Sequence, residues 1–324
     1  MTSAPARQVP RARFDDLLLR HAARSGAEVR EGHRALEAVC EADGTWLRFA
    51  DPEGAERTVR VGAIVDASGR AGFLVKTRGR HEVDPQLRNI AVHAQYASVP
   101  RATERRAGDI RMLMRPDGPG WVWLIPLSDT VTSVGAVIPR AVHQRETRPT
   151  PEASLDHYLT TTPGMSALLR VARRISPARF DADSSYLGTR LAGDRWVAVG
   201  DAAAFLDPIF STGVLLAMQS GLDAAAAIDA GLAGGELSAR HFASYARLVR
   251  RRYRHFRRFA VTSVTCGSGA GPASASTRPC CRCWPATGDP RSPRGSGCMC
   301  SSRWWRSSAC SPSLPEPIGP GSDR

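Results

Sequence analysis

Apolar positions change period several times along the chain, and each change marks an element. From Arg11 to Ala27 (RARFDDLLLRHAARSGA), Phe14, Leu17, Leu18 and Ala22 recur at helical spacing and Gly26 follows, which predicts an amphipathic helix with one face inward. The runs EVREG, RALEAVCEADG, TWLRFADPEG and RTVRVGAIVDASG then alternate over short stretches, with ADG and PEG as turns, so they read as short strands joined by hairpins. Within the last run, VGAIVDASG is continuously apolar and closes on Asp66, Ser68 and Gly69, as a parallel strand does where its C-terminal end meets a ligand. Between about Arg88 and Pro139, NIAVHAQYASV, DIRMLMRP, GWVWLIPL and TVTSVGAVIP alternate and predict an antiparallel sheet. Two helices are expected around Ser154 to Thr162 and Gly164 to Ala172, a strand near Arg179 to Ser184, and a returning strand in RWVAVGDAAAF. A buried small-residue helix, GVLLAMQSGLDAAAAIDAGL, and a second helix from Ala239 to Phe259 complete the body. No internal repeat is present. The fold class is α/β with α+β elements: a doubly wound layer interrupted by an antiparallel sheet.

The 324 residues can bury a large core. No apolar run of about 20 residues and no charged-then-apolar leader occurs, so a cytoplasmic protein without stable membrane insertion is expected. The formal net charge of +13 raises nucleic acid as a partner, but two features argue against it. Lys76 is the only lysine among 44 basic residues, a bias of coding sequence more than of phosphate binding. The charge is also concentrated in RLVRRRYRHFRRF, Arg247 to Phe259, read as a solvated helix end where cations suit the dipole.

Seven of the eight cysteines follow Thr265, in a tail without helical or strand period from about Ser263. CCRC and CMC lack the paired spacing of a zinc site, and a secreted disulfide framework has no leader to support it; no metal is expected. A frame shift explains the tail better. Cys280-Cys281, read one frame over, encodes Leu; Cys283-Trp284 gives Leu, Trp284-Pro285 Ala, and Met299-Cys300 and Trp304-Trp305 Val. Residues 263–324 are therefore expected to be out of frame and disordered.

The stretch VAVGDAAAFLDPIFSTGVLLAM, Val197 to Met218, carries the clearest chemistry. A buried strand ending in Gly200-Asp201 sets a carboxylate at the sheet edge where doubly wound folds bind ligands, and at neutral pH it can only accept hydrogen bonds, as from ribose or ribityl hydroxyls. Downstream, Ser211, Thr212 and Gly213 open a helix whose first N–H groups are unpaired donors, an anion site. Read alone, Asp201 and Ser211 are ordinary caps; the ordered combination is what carries the signal.

VDASGR at Val65 to Arg70, GWVWLIP at Gly120 to Pro126 and VGDAAAFLDPIFSTGV at Val199 to Val214 resemble the flavin-dependent halogenases, tryptophan-halogenase-like proteins within the FAD monooxygenase superfamily, over about Arg11 to Phe259. VDASG and GDA recur across that superfamily; the Trp121, Trp123, Ile125, Pro126 signature is the discriminating part, although two tryptophans on one strand face are equally what a core strand carries. The resemblance implies an oxidoreductase that binds FAD, reduced by a separate flavin reductase, and chloride or bromide. Asp201, with Gly200, would contact the ribityl or pyrophosphate region. Asp66 and Gly69 would lie near the cofactor. Pro208 through Gly213, Ser211 included, would line the isoalloxazine, with the N–H groups of Thr212 and Gly213 holding the halide. Flavin hydroperoxide would yield hypohalous acid, which an active-site lysine passes to an electron-rich phenolic or pyrrolic substrate, a free small molecule or one tethered to a carrier protein. Trp121 and Trp123 would keep substrate and flavin apart.

The sequence also departs from that pattern. The G-x-G-x-x-G phosphate loop is absent, and so is the section that holds the family's catalytic lysine; Lys76 is a surface residue and not its replacement. The expected organisation is an incomplete FAD-binding domain at 1–80, an inserted antiparallel-sheet substrate domain at 81–185, a returning FAD-domain segment at 186–262 and the tail. A truncated chain of this kind is expected to bind FAD poorly and to show little activity. Two alternatives stand beside the halogenase reading: a monooxygenase or isoprenoid-type reductase on the same scaffold, and a non-catalytic remnant or protein-binding module.

Overall fold

A computed structural model describes residues 8–40, 44–101, 108–115, 119–146 and 148–267. The first helix is α1 (Arg11–Arg24). Three strands, β1 (Arg34–Cys40), β2 (Thr45–Ala50) and β3 (Glu56–Val61), form an antiparallel sheet in that order, while EVREG stays outside regular structure. The strand β4 (Ile64–Asp66) leads through a 3-10 turn, Gly69–Ala71, into α2 (Phe73–Arg78).

The large sheet follows. It is built from β5 (His81–Ala97), β6 (Arg111–Met114), β7 (Trp121–Pro126), β8 (Val131–Pro139), β9 (Arg173–Arg174), β10 (Arg179–Gly188) and β13 (Ala204–Phe205), in the order β13-β10-β5-β8-β7-β6 with β9 beside β5. All of its pairings are antiparallel, as the alternating segments predicted. One face is covered by α3 (Arg140–Arg145), which the sequence reading did not anticipate, α4 (Pro151–Thr160) and α5 (Met165–Leu169). There Leu155, Tyr158, Leu159 and Met165 pack on Val92, Val122, Leu124, Val134, Ala136 and Ile138. Thr150 caps α4 by accepting from Ala153 N, with Pro151 at the first helical position.

A third sheet, β11 (Ala192–Gly193), β12 (Trp196–Ala198) and β4, contains the single parallel pair among the described residues, β12 with β4. From β12 the chain enters the short helix α6 (Gly200–Ala203), then β13, a 3-10 turn at Pro208–Phe210, α7 (Gly213–Gly234) and α8 (Ala243–Gly267). Because β13 pairs with β10, the segment beyond 185 is stitched into the large sheet as well as into the parallel one.

Three expectations change. The apolar stripe of α1 faces solvent, with no buried residue and Leu17 59% exposed, and α7 buries only Ser220, Ala224 and Gly231, leaving Leu222 72% exposed. No described element covers those stripes, and the free edge of β4, where Val65 is exposed, lies bare in the same way. The arginine block is not a helix end, because α8 continues to Gly267. Arg252 pairs with Asp223, Arg257 with Asp84, and Arg250 donates to the Gly188 and Thr189 carbonyls. The helix thus takes in residues 263–267, the first five of the expected aperiodic tail; the rest of that expectation, 268–324, lies outside the described residues. No described helix is long and apolar enough to cross a membrane.

Candidate functional site

The parallel pair brings two of the sequence motifs together. Ala198 of β12 stands beside Asp66 of β4, and the Val199 N–H donates to the Asp66 carbonyl at 3.0 Å, so VDASG and VGDA end side by side. The Asp66 carboxylate is 3% exposed and fully engaged. Oδ1 accepts from Ser68 N (3.1 Å) and Oγ (2.6 Å), and Oδ2 from Leu74 N (2.7 Å). Its oxygens shape the turn into α2 and are not free for a ligand. Gly69, at φ +61°, takes a left-handed conformation with open space where a side chain would stand.

Gly200 also has positive φ, +54°, and lets α7 approach: a Cβ there would stand 3.2 Å from the Ala217 Cβ, and the Gly200 N–H donates to Ser220 Oγ at 2.9 Å. Beside it, the Asp201 carboxylate receives no hydrogen bond from a described residue. Burial raises its pKa, and the Arg70 guanidinium opposes that rise. Two rings hold the backbone of this turn. Tyr186 Oη donates to the Asp201 carbonyl at 2.7 Å, and His81 Nε2 meets the Ala202 carbonyl at 3.0 Å, so that nitrogen carries the proton. The rings stack at 4.0 Å; burial lowers the His81 pKa and raises that of Tyr186. Neither residue stands in a motif, and only the β5–β10 register brings them together.

The third part is Asp207, 1% exposed and absent from the sequence reading as a site residue. Its carboxylate accepts from Asn89 Nδ2 (2.6 Å) and Ile209 N (3.0 Å), while its own N–H donates to Ser185 Oγ (2.8 Å). The buried indole N–H of Trp121 misses hydrogen-bond geometry yet stands near enough to favour the charged carboxylate. Burial still dominates and raises the Asp207 pKa. Asp207 caps the turn at Pro208–Phe210, after which Ser211 sits at φ +52° and Thr212 precedes the first turn of α7. No side chain caps α7. The N–H groups of Gly213, Val214 and Leu215 have no intrahelical partner, and the space in front of Gly213 is open. Uncapped donors at the positive end of a 22-residue helix suit an anion, and Gly213 is among them.

Trp121 and Trp123 share the sheet face that looks toward this loop, with ring centroids 5.7 Å apart. They differ in burial. Trp121 is 2% exposed and packs with Leu87, Ala91, Val137, Leu206 and Ile209, whereas the half-buried Trp123 lies across Gly135, its Nε1 donating to Ser133 Oγ at 3.1 Å. Ile125 and Pro126 continue the strand, half-buried. Lys76 donates to the Arg70 carbonyl at 3.0 Å, an exposed contact that gives it no catalytic position. The donors at α7 and the unengaged Asp201 carboxylate fit the hydroxylated chain and ring of a flavin, while the G-x-G-x-x-G phosphate loop does not occur in the sequence.

A parallel pair ending in a Gly-Asp turn, an uncapped helix beyond it, and an antiparallel sheet presenting paired tryptophans together make up the candidate site. The chain belongs to the tryptophan halogenase family, whose description matches residues 2–266. It is 33% identical over 255 residues to the flavin-dependent halogenase armH4 of Armillaria mellea, covering 71% of this chain and 48% of that protein. It is 30% identical over 246 residues to a 1H-pyrrole-2-carbonyl-[peptidyl-carrier protein] chlorinase of Pseudomonas fluorescens, covering 75% and 55%. Among solved structures, the myxobacterial chondrochloren halogenase CndH superposes with TM-score 0.75 at 36% identity, over 81% of this chain and 61% of that one. The brominase Bmp2 gives 0.74 at 29%, over 82% and 67%. The chain thus spans about half the length of the relatives it matches in sequence.

Proposed function

We propose that this chain holds the flavin- and halide-facing part of an FAD-dependent halogenase acting on an electron-rich phenolic or pyrrolic ring. The observation that carries this reading is the uncapped start of α7 behind the left-handed Ser211, one strand-face away from Trp121 and Trp123. Bound reduced FAD, delivered by a separate flavin reductase, supplies the oxygen activation that converts halide to hypohalous acid. The protein's share is positional. Asp201 accepts from the hydroxylated chain of the cofactor, with Gly200 and Gly69 leaving room for it. Pro208 to Gly213 line its ring, and the Thr212 and Gly213 N–H groups hold chloride or bromide. Trp121, fixed in the core, and Trp123, on the open face, separate the aromatic substrate from the flavin. Asp66 supports the turn from behind. The carrier-bound pyrrole of the Pseudomonas fluorescens relative supports a carrier-tethered ring as a second substrate form. The family match favours halogenation over the monooxygenase and reductase readings.

The test is direct. The purified chain is titrated with FAD by flavin absorbance and fluorescence, then incubated with a flavin reductase, bromide or chloride, and a panel of phenols and pyrrole-2-carboxyl thioesters. A halogen mass shift that needs both flavin and halide supports the proposal. Hydroxylated product without halide supports the monooxygenase reading, and absence of flavin binding refutes the proposal for this chain.

A further inference from the structure

The face of the large sheet that carries the tryptophans also carries a histidine and a carboxylate with no part in holding the flavin. The register fixes a row of same-face residues across five strands: Met112, Trp123, Gly135, His93 and Arg179. His93 Nε2 lies 2.9 Å from Asp181 Oδ2, and its ring centroid stands 5.9 Å from that of Trp123. A carboxylate only accepts, so Nε2 carries the proton and the Nδ1 lone pair is the free base. The side chains are 33% and 58% exposed, and a pair so wet contributes little to stability. The row of Asn89, which holds Asp207 beside the flavin loop, lies four residues back along β5, about 13 Å at strand rise. Trp121 and Trp123 stand in the two rows that follow it.

The geometry points to His93, oriented by Asp181, as the proton acceptor for a phenolic substrate bound on this face, with Arg179 as counter-charge to the phenolate. This rests on the halogenase reading and narrows its substrate to phenols, because an imidazole can ionise a phenol but not a pyrrole N–H. The reaction balances. His93 Nδ1 takes the hydroxyl proton, and the ring carbon ortho or para to the oxygen attacks the halogen of hypohalous acid. The carbon–halogen bond forms as the halogen–oxygen bond breaks, and the departing hydroxide takes the proton back from the imidazolium to give water. The ring C–H proton then passes to solvent as the phenol oxygen is reprotonated and aromaticity returns. Asp181 is a positioning residue, holding the tautomer that leaves Nδ1 basic.

The test needs neither flavin nor halide. The full chain is titrated with 4-nitrophenol, whose phenolate is yellow, at a pH below the probe's own pKa. Wild type is expected to raise the ionisation constant of the bound probe about tenfold, as a favourable charge environment within a few ångströms does. His93→Gln removes the shift, Asp181→Asn reduces it, and near-UV circular dichroism reports that both variants remain folded. A bound phenolate signal unchanged in His93→Gln overturns the proposal, as does the absence of any shift or of any binding in wild type. Failure of halogenation with the nitrophenol shift intact would instead count against the flavin reading and leave the dyad standing.

Discussion

Asn89→Ala tests whether the buried Asp207 is held as a carboxylate. The substitution removes the 2.6 Å donor to Oδ2 in a site that is 1% exposed, leaving Ile209 N and the imperfectly aimed Trp121 indole as the remaining favourable groups. A hydrogen bond to a buried charged group is worth about 1.5–3 kcal/mol, and with the lost packing a deficit of roughly 2–4 kcal/mol is expected. For a folded region of this size that corresponds to a fall in Tm of roughly 4–8 °C. The sign of its pH dependence follows from the raised pKa. Asp207 stands above the ordinary 3.8 in the folded state, so the stability it contributes is present below the unfolded value and lost as pH rises through the folded one. Asn89 opposes that rise, and its removal lifts the folded pKa further. Wild type and variant should therefore converge in acid, where the carboxyl is protonated, and diverge toward neutrality. Urea titrations at about pH 4 and about pH 8 measure this, provided both proteins are folded at the start. An equal deficit at the two pH values would refute the charge argument and reduce Asn89 to a packing residue.

Two further outcomes are expected. In Gly135→Ala the new Cβ would stand 2.6 Å from the His93 Cβ and closer still to the Trp123 ring, so the indole must move. The expected cost is about 1–3 kcal/mol with a changed near-UV tryptophan signal, and an unaltered signal would refute the packing. Burial lowers the pKa of His81 below 6.5, so its contribution is complete above the unfolded value and is lost as pH falls through the lowered folded one. His81→Gln should flatten the decline in melting temperature below about pH 6.5, and a slope identical to wild type would show that His81 does not titrate with folding.

The parts of the site legible in the sequence are those in which one local segment carries both the geometry and the chemistry. VDASG and GDAAAFLDPIFSTG announce strand ends and a helix start within a few residues, and the structure has both. The pairs that complete the site are far apart in the chain. Asn89 and Asp207 are 118 residues apart, and His93 and Asp181 are 88 apart. Their meeting depends on the register of β5 against β10, including an irregularity between Ser184 and Tyr186 that no composition rule locates. The stripes of α1 and α7 failed for a different reason. Periodicity tells which side of a helix is apolar but not whether anything lies against it, and in this chain Leu17 and Leu222 face solvent. The arginine block failed because charge composition locates a polar face but does not end a helix; α8 runs on past Phe259.

In the row from Met112 to Arg179 the central place belongs to Gly135, the one residue there with no side chain, and the Trp123 ring lies over it against His93. The ring fills the space above that bare backbone, so no exchange at Gly135 can make room on this face. A variant shaped for a bulkier substrate ring would have to be cut back at Met112 or at Trp123 itself, and the second choice would also remove packing against the cluster that holds the loop at Pro208–Phe210.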